Sequence, residues 1–379
     1  MNFQLTEQQL AMQKLTQEFV EKYVAPGVAD RDQANEFPMD AWRKLAEQGF
    51  CCLQYNPKYG GKGMDYITYA LVIDAIGQID STLAASYSVT NTLFLAGINM
   101  YGTEEQKKKY INGVAKGDIG CFGLTEPNAG SDASYVQTTA VREGDYYVLN
   151  GQKCFITNAA LSKAAIIIAK TDADKPGTKG LTAFVVDTDT PGFELGKLEN
   201  KMGLRSLQVS EIFFKNCKIP VDCRLGKEGE GFKIAMKVLD AGRVGVAAQG
   251  LGLAKGAFNI ALKHLHERVQ FGKPLFKNQY LQFKMVDFKV IIEQAELMLL
   301  KAAWEQTNHL PTFGVSASKA KLLCTDAAME VTTNMVQMMG GSGYMKENHI
   351  ERMMRDAKIT QIYEGTNQIQ RLVIANSLK

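Results

Sequence analysis

In the stretch KITQIYEGTNQIQ, Lys358 to Gln370, a single carboxylate, Glu364, stands where two helical patterns meet. The run ERMMRDAKITQIY before it has helical spacing, Gly365 reads as a C-terminal stop and Thr366 as the cap of the next helix. An exposed negative charge at a helix C-terminus opposes the macrodipole by about 0.3–1 kcal/mol. A charge in that place needs a reason beyond helix formation.

Other stretches carry weaker signals. GCFGLTEPNAGSDAS, residues 120–134, is dense in small and turn residues, and its amides with Thr125, Ser131 and Ser134 suit the polar edge of a cofactor; a plain interdomain loop has the same composition. ERVQFGKPL brings Arg268, Gln270 and Phe271 to the end of a long helix. That arginine either meets a phosphate or, more simply, complements the helix C-terminus. QMMGGSGYM is a Gly-rich helix break. In LDAGRVG, Asp240 and Arg243 lie three apart on one helix face, and in isolation they read as an ion pair. HLHERVQF is no zinc motif, since Gln270 stands where the second ligand belongs. Neither GxGxxG nor GxxxxGK[ST] occurs, so a nucleotide cofactor needs another architecture.

Three regions must position these residues. Residues 1–118 read as an all-α domain. It runs from LTEQQLAMQKLTQEFVEKYVAP, through two longer segments between about Tyr66 and Met100, to a Thr103-capped helix stopped at Gly117. Residues 119–227 change to short β-branched and aromatic runs. A hairpin is expected at Glu143-Gly144-Asp145 and a second turn at Asn150-Gly151. No helix alternates with these strands, so an antiparallel barrel or sandwich is expected rather than a parallel dinucleotide-binding sheet. Residues 228–379 return to long amphipathic helices, about 229–268, 279–307, 315–339, 348–361 and 366–377, as in a four-helix bundle. The fold class is thus multi-domain α+β.

Bulk properties agree. The chain has 379 residues, 46% hydrophobic and 22% charged, with a net charge of +3. Nucleic-acid binding is disfavoured, because the one dense basic cluster, EEQKKKY, alternates with acids. No apolar run reaches the roughly 20 residues of a membrane span. The N-terminus has neither signal nor transit character, and a cytoplasmic, bacterial setting is expected over the mitochondrial matrix. Seven scattered cysteines without CxxC read as buried, reduced thiols.

GLTEPNAGSDAS, GQKCFITNA, KMGLRS, GRVGVAAQGLGLA, ERVQFGKPL, GGSGY and MRDAKITQIYEGTNQIQ follow one another over most of the chain. Together they resemble the acyl-CoA dehydrogenase family, and the likeness covers essentially all 379 residues, on the bacterial short-chain, butyryl-CoA dehydrogenase-like branch. The resemblance implies FAD, bound without a Rossmann motif. Phe122, Leu124, Thr125 and Ser131 would line it, with Phe155 and Thr157 on its other side and Thr366 and Gln368 from the last helix. Arg268, Gln270, Phe271, Gln337 and Gly341 would reach it from a neighbouring subunit, which implies an oligomer, usually a tetramer made of two dimers. Ser131, Phe232, Asp240 and Arg243 would contact the CoA thioester, and Tyr363 and Gly365 would flank it. Glu364 matches the catalytic base, and no metal is implied. Electrons would pass to or from electron-transfer flavoprotein.

Gln249 and Thr360 match positions that make the pocket shallow in short-chain members, so butyryl-CoA and crotonyl-CoA are the expected pair. Three departures bear on that expectation: Leu207-Gln208 in GLRSLQVSE, the missing aromatic-proline pair in GYMKENHIER, and Tyr87, expected at the pocket floor or wall. An aryl-acrylyl-CoA reductase of the caffeyl-CoA type is the alternative. A flavin-free CoA-ester lyase or isomerase using Glu364, or a helical CoA-binding scaffold, is more distant.

Overall fold

The computed structural model describes residues 4–175 and 177–379; Met1, Asn2 and Phe3, the start of the expected N-terminal domain, and Pro176 lie outside the described residues. Seven α-helices come first: α1 (Glu7–Phe19), α2 (Val28–Ala34), α3 (Met39–Glu47), α4 (Tyr66–Gly77), α5 (Ser81–Ser88), α6 (Leu95–Tyr101) and α7 (Glu104–Ala115). Thr6 and Thr103 start α1 and α7 with reciprocal capping boxes to Gln9 and Gln106, and the side chains of Asp65 and Asp80 cap α4 and α5. The second of the two segments expected between Tyr66 and Met100 is interrupted. A π-helical turn, Val89–Phe94, separates α5 from α6. Such wide turns re-aim side chains and gather at functional sites.

The middle region is one eight-stranded sheet: β1 (Gly120–Gly123), β2 (Thr139–Glu143), β3 (Tyr146–Thr157), β4 (Ala164–Lys170), β5 (Leu181–Asp187), β6 (Phe193–Leu198), β7 (Val209–Pro220) and β8 (Arg224–Leu225). Its order is β6-β7-β3-β2-β4-β5-β8, with β1 also on β4. Pairing is antiparallel except along one edge of β4, where β1 and the single pair Thr139–Lys170 run parallel to it. The expected hairpin joins β2 to β3 around Gly144-Asp145. The turn expected at Asn150-Gly151 is not one: both residues lie inside β3, at a register shift against β7. Gly151 has φ 146°, and a Cβ on it would come within 2.7 Å of the Thr138 backbone. The glycine marks a bulge rather than a chain reversal.

The chain ends in α8 (Gly231–Glu267), a short hairpin of β9 (Val269–Gln270) and β10 (Lys273–Pro274), then α9 (Gln279–Thr307), α10 (Phe313–Met339), α11 (Gly341–Tyr344), α12 (Ile350–Thr360) and α13 (Asn367–Asn376). α10 packs against α8, α9, α12 and α13, and α8 also packs on α4, so the bundle continues into the N-terminal helices. One core joins these helices to one side of the sheet, and a second, around Tyr147, Phe184 and Ile212, fills the other side. All seven cysteines are free, and burial pushes thiols such as Cys51 and Cys121 up to about 12.

A buried ion pair ties β3 to the loop after β1. Lys153, fully buried, donates to Glu126 Oε1 at 2.6 Å and to the Leu124 carbonyl at 3.2 Å. Glu126 also accepts from the backbone N–H groups of Gln137 (2.7 Å) and Thr138 (3.0 Å). Every contact fixes the path of residues 124–138. Removing one member of a buried pair strands the other, at a cost of about 3–5 kcal/mol. Glu126→Ala is therefore expected to lower the melting temperature by several degrees in calorimetry. An unchanged melt would show the pair to be dispensable.

Candidate active site

Where sheet, π-turn and bundle meet, a cavity of about 300 Å³ opens. The π-turn contributes Val89 and Leu93. The β1 end and following loop contribute Phe122, Leu124, Thr125 and Gly130–Ser134, and β3 contributes Phe155, Ile156 and Thr157. α8 adds Phe232, Met236, Leu239 and Arg243, while the break after α12 adds Tyr363, Glu364 and Gly365, and α13 adds Ile369.

That break is tightly built. α12 ends at Thr360, three residues short of Tyr363, and Glu364 and Gly365 take left-handed φ values of 54° and 87°. Thr366 then caps α13 by accepting from the Ile369 N–H at 3.2 Å. Two consecutive left-handed residues swing the Glu364 side chain away from the helix axis. Its Oε2 is shut off from solvent and accepts no hydrogen bond. The gap it occupies exists because position 242 is glycine: a Cβ there would lie 2.0 Å from Glu364 Oε2. Burial raises the Glu364 carboxyl to about 7, against the opposing pull of Lys321 and Arg243. The Glu364 backbone N–H has no acceptor among the described residues. A carboxylate with one buried, unpaired oxygen and a free N–H beside it is equipped to take a proton and to polarise an oxygen.

Of the expected residues, Phe122, Leu124, Thr125, Ser131, Phe155, Thr157, Phe232, Arg243, Tyr363, Glu364 and Gly365 all line this one cavity. Phe155 has φ 58° and stays 66% exposed, an aromatic face in search of a partner. With Thr125 and Thr157 as polar neighbours, that apolar and aromatic lining suits a flat heteroaromatic ring. Asp240 does not line the cavity. It holds Arg243 Nη1 from behind at 2.8 Å, the ion pair that its spacing suggested, and Ser318 Oγ lies 3.3 Å from the same nitrogen.

Gln249 and Thr360 also sit behind the wall rather than on it. Gln249, fully buried, donates to the Ser81 hydroxyl at 2.8 Å and accepts from the Tyr363 hydroxyl, while the Thr360 hydroxyl donates to the Ala357 carbonyl. Tyr87 is not at the pocket floor: it is fully buried, stacked on Tyr69 and bonded to the Phe50 carbonyl at 2.7 Å. Thr366 is engaged as the cap, and Gln368 is exposed.

Arg268, Gln270 and Phe271 ride on the outward hairpin, with Phe271 99% exposed, and Gln337 and Gly341 are exposed at the α10–α11 junction. None of the five reaches this chain's own cavity. Leu207 lines a neighbouring cavity that shares Phe155, Thr157 and Tyr363, and Gln208 bonds to the Asn35 carbonyl. His349, in place of the expected proline, has φ 61° at the start of α12. Sequence reading missed Val89 and Leu93, because a π-turn leaves no distinct periodicity. It also missed Gly242 and Lys321, whose parts need the fold to be seen. No group of three or more His, Cys, Asp or Glu among the described residues is arranged to hold a metal ion, and no helix among them is long and apolar enough to cross a membrane.

A folded-state pKa near 7 lies above the ordinary carboxylate value, so the folded chain holds more protons here than the unfolded one. Stability from this group is present at low pH and is lost as pH rises through about 7. Glu364→Gln removes that loss. Calorimetry at pH 8 is expected to show the variant more stable than wild type by roughly 1–3 kcal/mol, with the gap closing toward pH 4.

The chain matches three family models along its length: the acyl-CoA dehydrogenase N-terminal domain over residues 6–118, the middle domain over 121–217 and the C-terminal domain over 229–379. It is 45% identical to the short-chain specific acyl-CoA dehydrogenase of Clostridium acetobutylicum over 379 residues, the whole of both chains. The butyryl-CoA dehydrogenase of Megasphaera elsdenii superimposes with a TM-score of 0.97 at 44% identity, covering 100% of each chain. A chain solved in work on the electron-transferring flavoprotein of Acidaminococcus fermentans and flavin-based electron bifurcation gives a TM-score of 0.98 at 45% identity, covering 100% of this chain and 99% of that one.

Proposed function

Because the chain belongs to the acyl-CoA dehydrogenase family, we propose that it is an FAD-dependent oxidoreductase interconverting a short-chain acyl-CoA and its trans-2-enoyl-CoA. Electron-transfer flavoprotein is its redox partner. The observation that carries the reading is the orphaned, buried Oε2 of Glu364, a residue that lines one cavity together with the exposed ring of Phe155. Domain limits near 118/119 and 227/228, where helix gives way to sheet and sheet to helix, belong to the same proposal.

Phe122, Leu124, Thr125, Phe155 and Thr157 hold the ring of FAD, with Ser131 at the loop side. FAD, once bound, supplies the acceptor for the β-hydrogen as hydride. Glu364 takes the α-hydrogen of the thioester as a proton onto its carboxylate. Its pKa near 7 leaves a useful fraction ionised at neutral pH while keeping basicity for a weak carbon acid. The free backbone N–H of Glu364 donates to the thioester oxygen and stabilises the enolate charge that develops there. Arg243, held by Asp240 and Ser318, adds a fixed positive charge.

Tyr363 closes the acyl side, clamped by Gln249 behind it. That buried polar support behind Tyr363 favours a short chain. Of the three sequence departures only Leu207 comes near, lining the neighbouring cavity that shares Phe155, Thr157 and Tyr363 with the site. Phe271 left bare, and five exposed apolar residues on α9 (Tyr280, Phe283, Val286, Val290 and Leu297), are surfaces for further copies of the chain. This supports a homotetramer in which the hairpin completes a neighbour's cofactor site.

Glu364→Gln is expected to bind FAD normally and to lose at least about 10³-fold in flavin bleaching by butyryl-CoA, a base contribution at the upper part of the usual range. Bleaching at the wild-type rate would refute the assignment. In a panel of saturated CoA esters read by flavin absorbance, kcat/KM is expected to peak at four carbons and to fall beyond six. In reverse, the dithionite-reduced enzyme is expected to be reoxidised faster by crotonyl-CoA than by an aryl-acrylyl-CoA. A flat profile, or preference for the aryl ester, would displace the short-chain reading.

A further inference from the structure

We propose that Lys321, on α10, is a positioning residue for the base, pinning the left-handed turn that carries Glu364 and setting the field in which its carboxylate ionises. The inference rests on the reading of Glu364 as the base.

Lys321 is fully buried in the middle of a helix, where a lysine has no packing reason to be. Its Nζ donates to the Gly365 carbonyl at 2.9 Å and to Asn367 Oδ1 at 2.8 Å. The Gly365 carbonyl also accepts from Gln370 Nε2 at 2.8 Å, and that amide lies 3.4 Å from the Glu364 carbonyl. The peptide oxygens left without helical partners by the break are thus held by one ammonium from α10 and one amide from α13. Asn367 is locked in turn, its Nδ2 donating to Thr325 Oγ1 at 2.9 Å and Asp326 Oδ1 at 2.7 Å. A residue with φ 54° is not at its own backbone minimum, so outside contacts must hold it. Lys321 supplies one of them directly at the next carbonyl.

The second role is electrostatic. The charged or titratable groups around Glu364 are Lys321 from α10, Arg243 from α8, Tyr69 from α4 and its neighbour Tyr363. Arg243 is paired with Asp240 at 2.8 Å, and Lys321 senses Glu364, Arg243 and Asp326. Burial lowers Lys321 to about 7 against the pull of Glu364, and the two groups titrate as a coupled pair. Loss of the lysine charge raises the Glu364 pKa and moves ionisation of the base to higher pH.

The test uses FAD-loaded protein and two readouts besides turnover: flavin content, and exchange of the α-hydrogen of butyryl-CoA with solvent deuterium followed by mass spectrometry across pH. Lys321→Gln keeps a donor but loses the charge. It is expected to load FAD, with the acid limb of the exchange profile displaced upward by about one pH unit. Lys321→Arg keeps the charge and is expected to hold the midpoint within a few tenths of a unit of wild type, at a reduced plateau. A Lys321→Gln midpoint equal to wild type, or failure of that variant to load FAD, would overturn the proposal, because either result reduces the lysine to general packing. Exchange that persists in Glu364→Gln would instead remove the underlying assignment, whatever the lysine variants do.

Discussion

One carboxylate oxygen kept buried and unpaired is the constraint around which much of this chain is arranged. Glu364 Oε2 accepts no hydrogen bond, and its gap survives because a glycine faces it from α8. Burial of a charge is costly enough that the group answers by raising its pKa, here to about 7. Two cations, Lys321 and Arg243, limit the rise without bonding to the carboxylate. The α12–α13 break, the small residue on α8 and the buried lysine on α10 therefore form one device spread over four helices.

The sheet serves the same cavity from the other side. β1 runs parallel to β4 and delivers the 124–134 loop to the cavity wall, and the Lys153–Glu126 pair fixes that loop from beneath. β3 ends with Phe155 in a left-handed conformation, turning an aromatic ring into the open space. The π-turn between α5 and α6 adds Val89 and Leu93. Helix, sheet and bundle each contribute walls, so the cavity forms only when all three are assembled.

Much of this was legible in the chain. Thr366 as a cap and the Gly144-Asp145 hairpin follow from local chemistry, and the structure has both; Gly365 is not the helix stop, since α12 already ends at Thr360 and Gly365 belongs to the left-handed turn beyond it. The limits of the long helices were set by periodicity, and α8, α9 and α10 begin and end within about two residues of expectation. Asn150-Gly151 misled because a bulge and a turn use the same dipeptide, and only the β7 strand alongside distinguishes them. The shared lining from Phe122 to Glu364 came through resemblance, since these residues are far apart in sequence. Gln249, Thr360 and Tyr87 proved to be buried off the cavity lining, Gln249 as the support of Tyr363, and sequence position alone cannot separate the residue that touches from the one that does not. Lys321 left no signal at all, because a lysine at helical spacing reads as a solvated face.

The orphaned oxygen also has an evolutionary consequence. A chain selected for folding alone would drift toward glutamine at position 364, since the amide keeps the shape and sheds the cost of burying a charge. Glycine at 242 would stay, since a Cβ there would meet the isosteric amide as it meets the carboxylate, and would also lie 2.6 Å from Leu93 Cδ2. Glu364 is therefore a residue that folding alone gives no reason to keep. Among descendants that have lost the reaction, position 364 is where the loss should first be written.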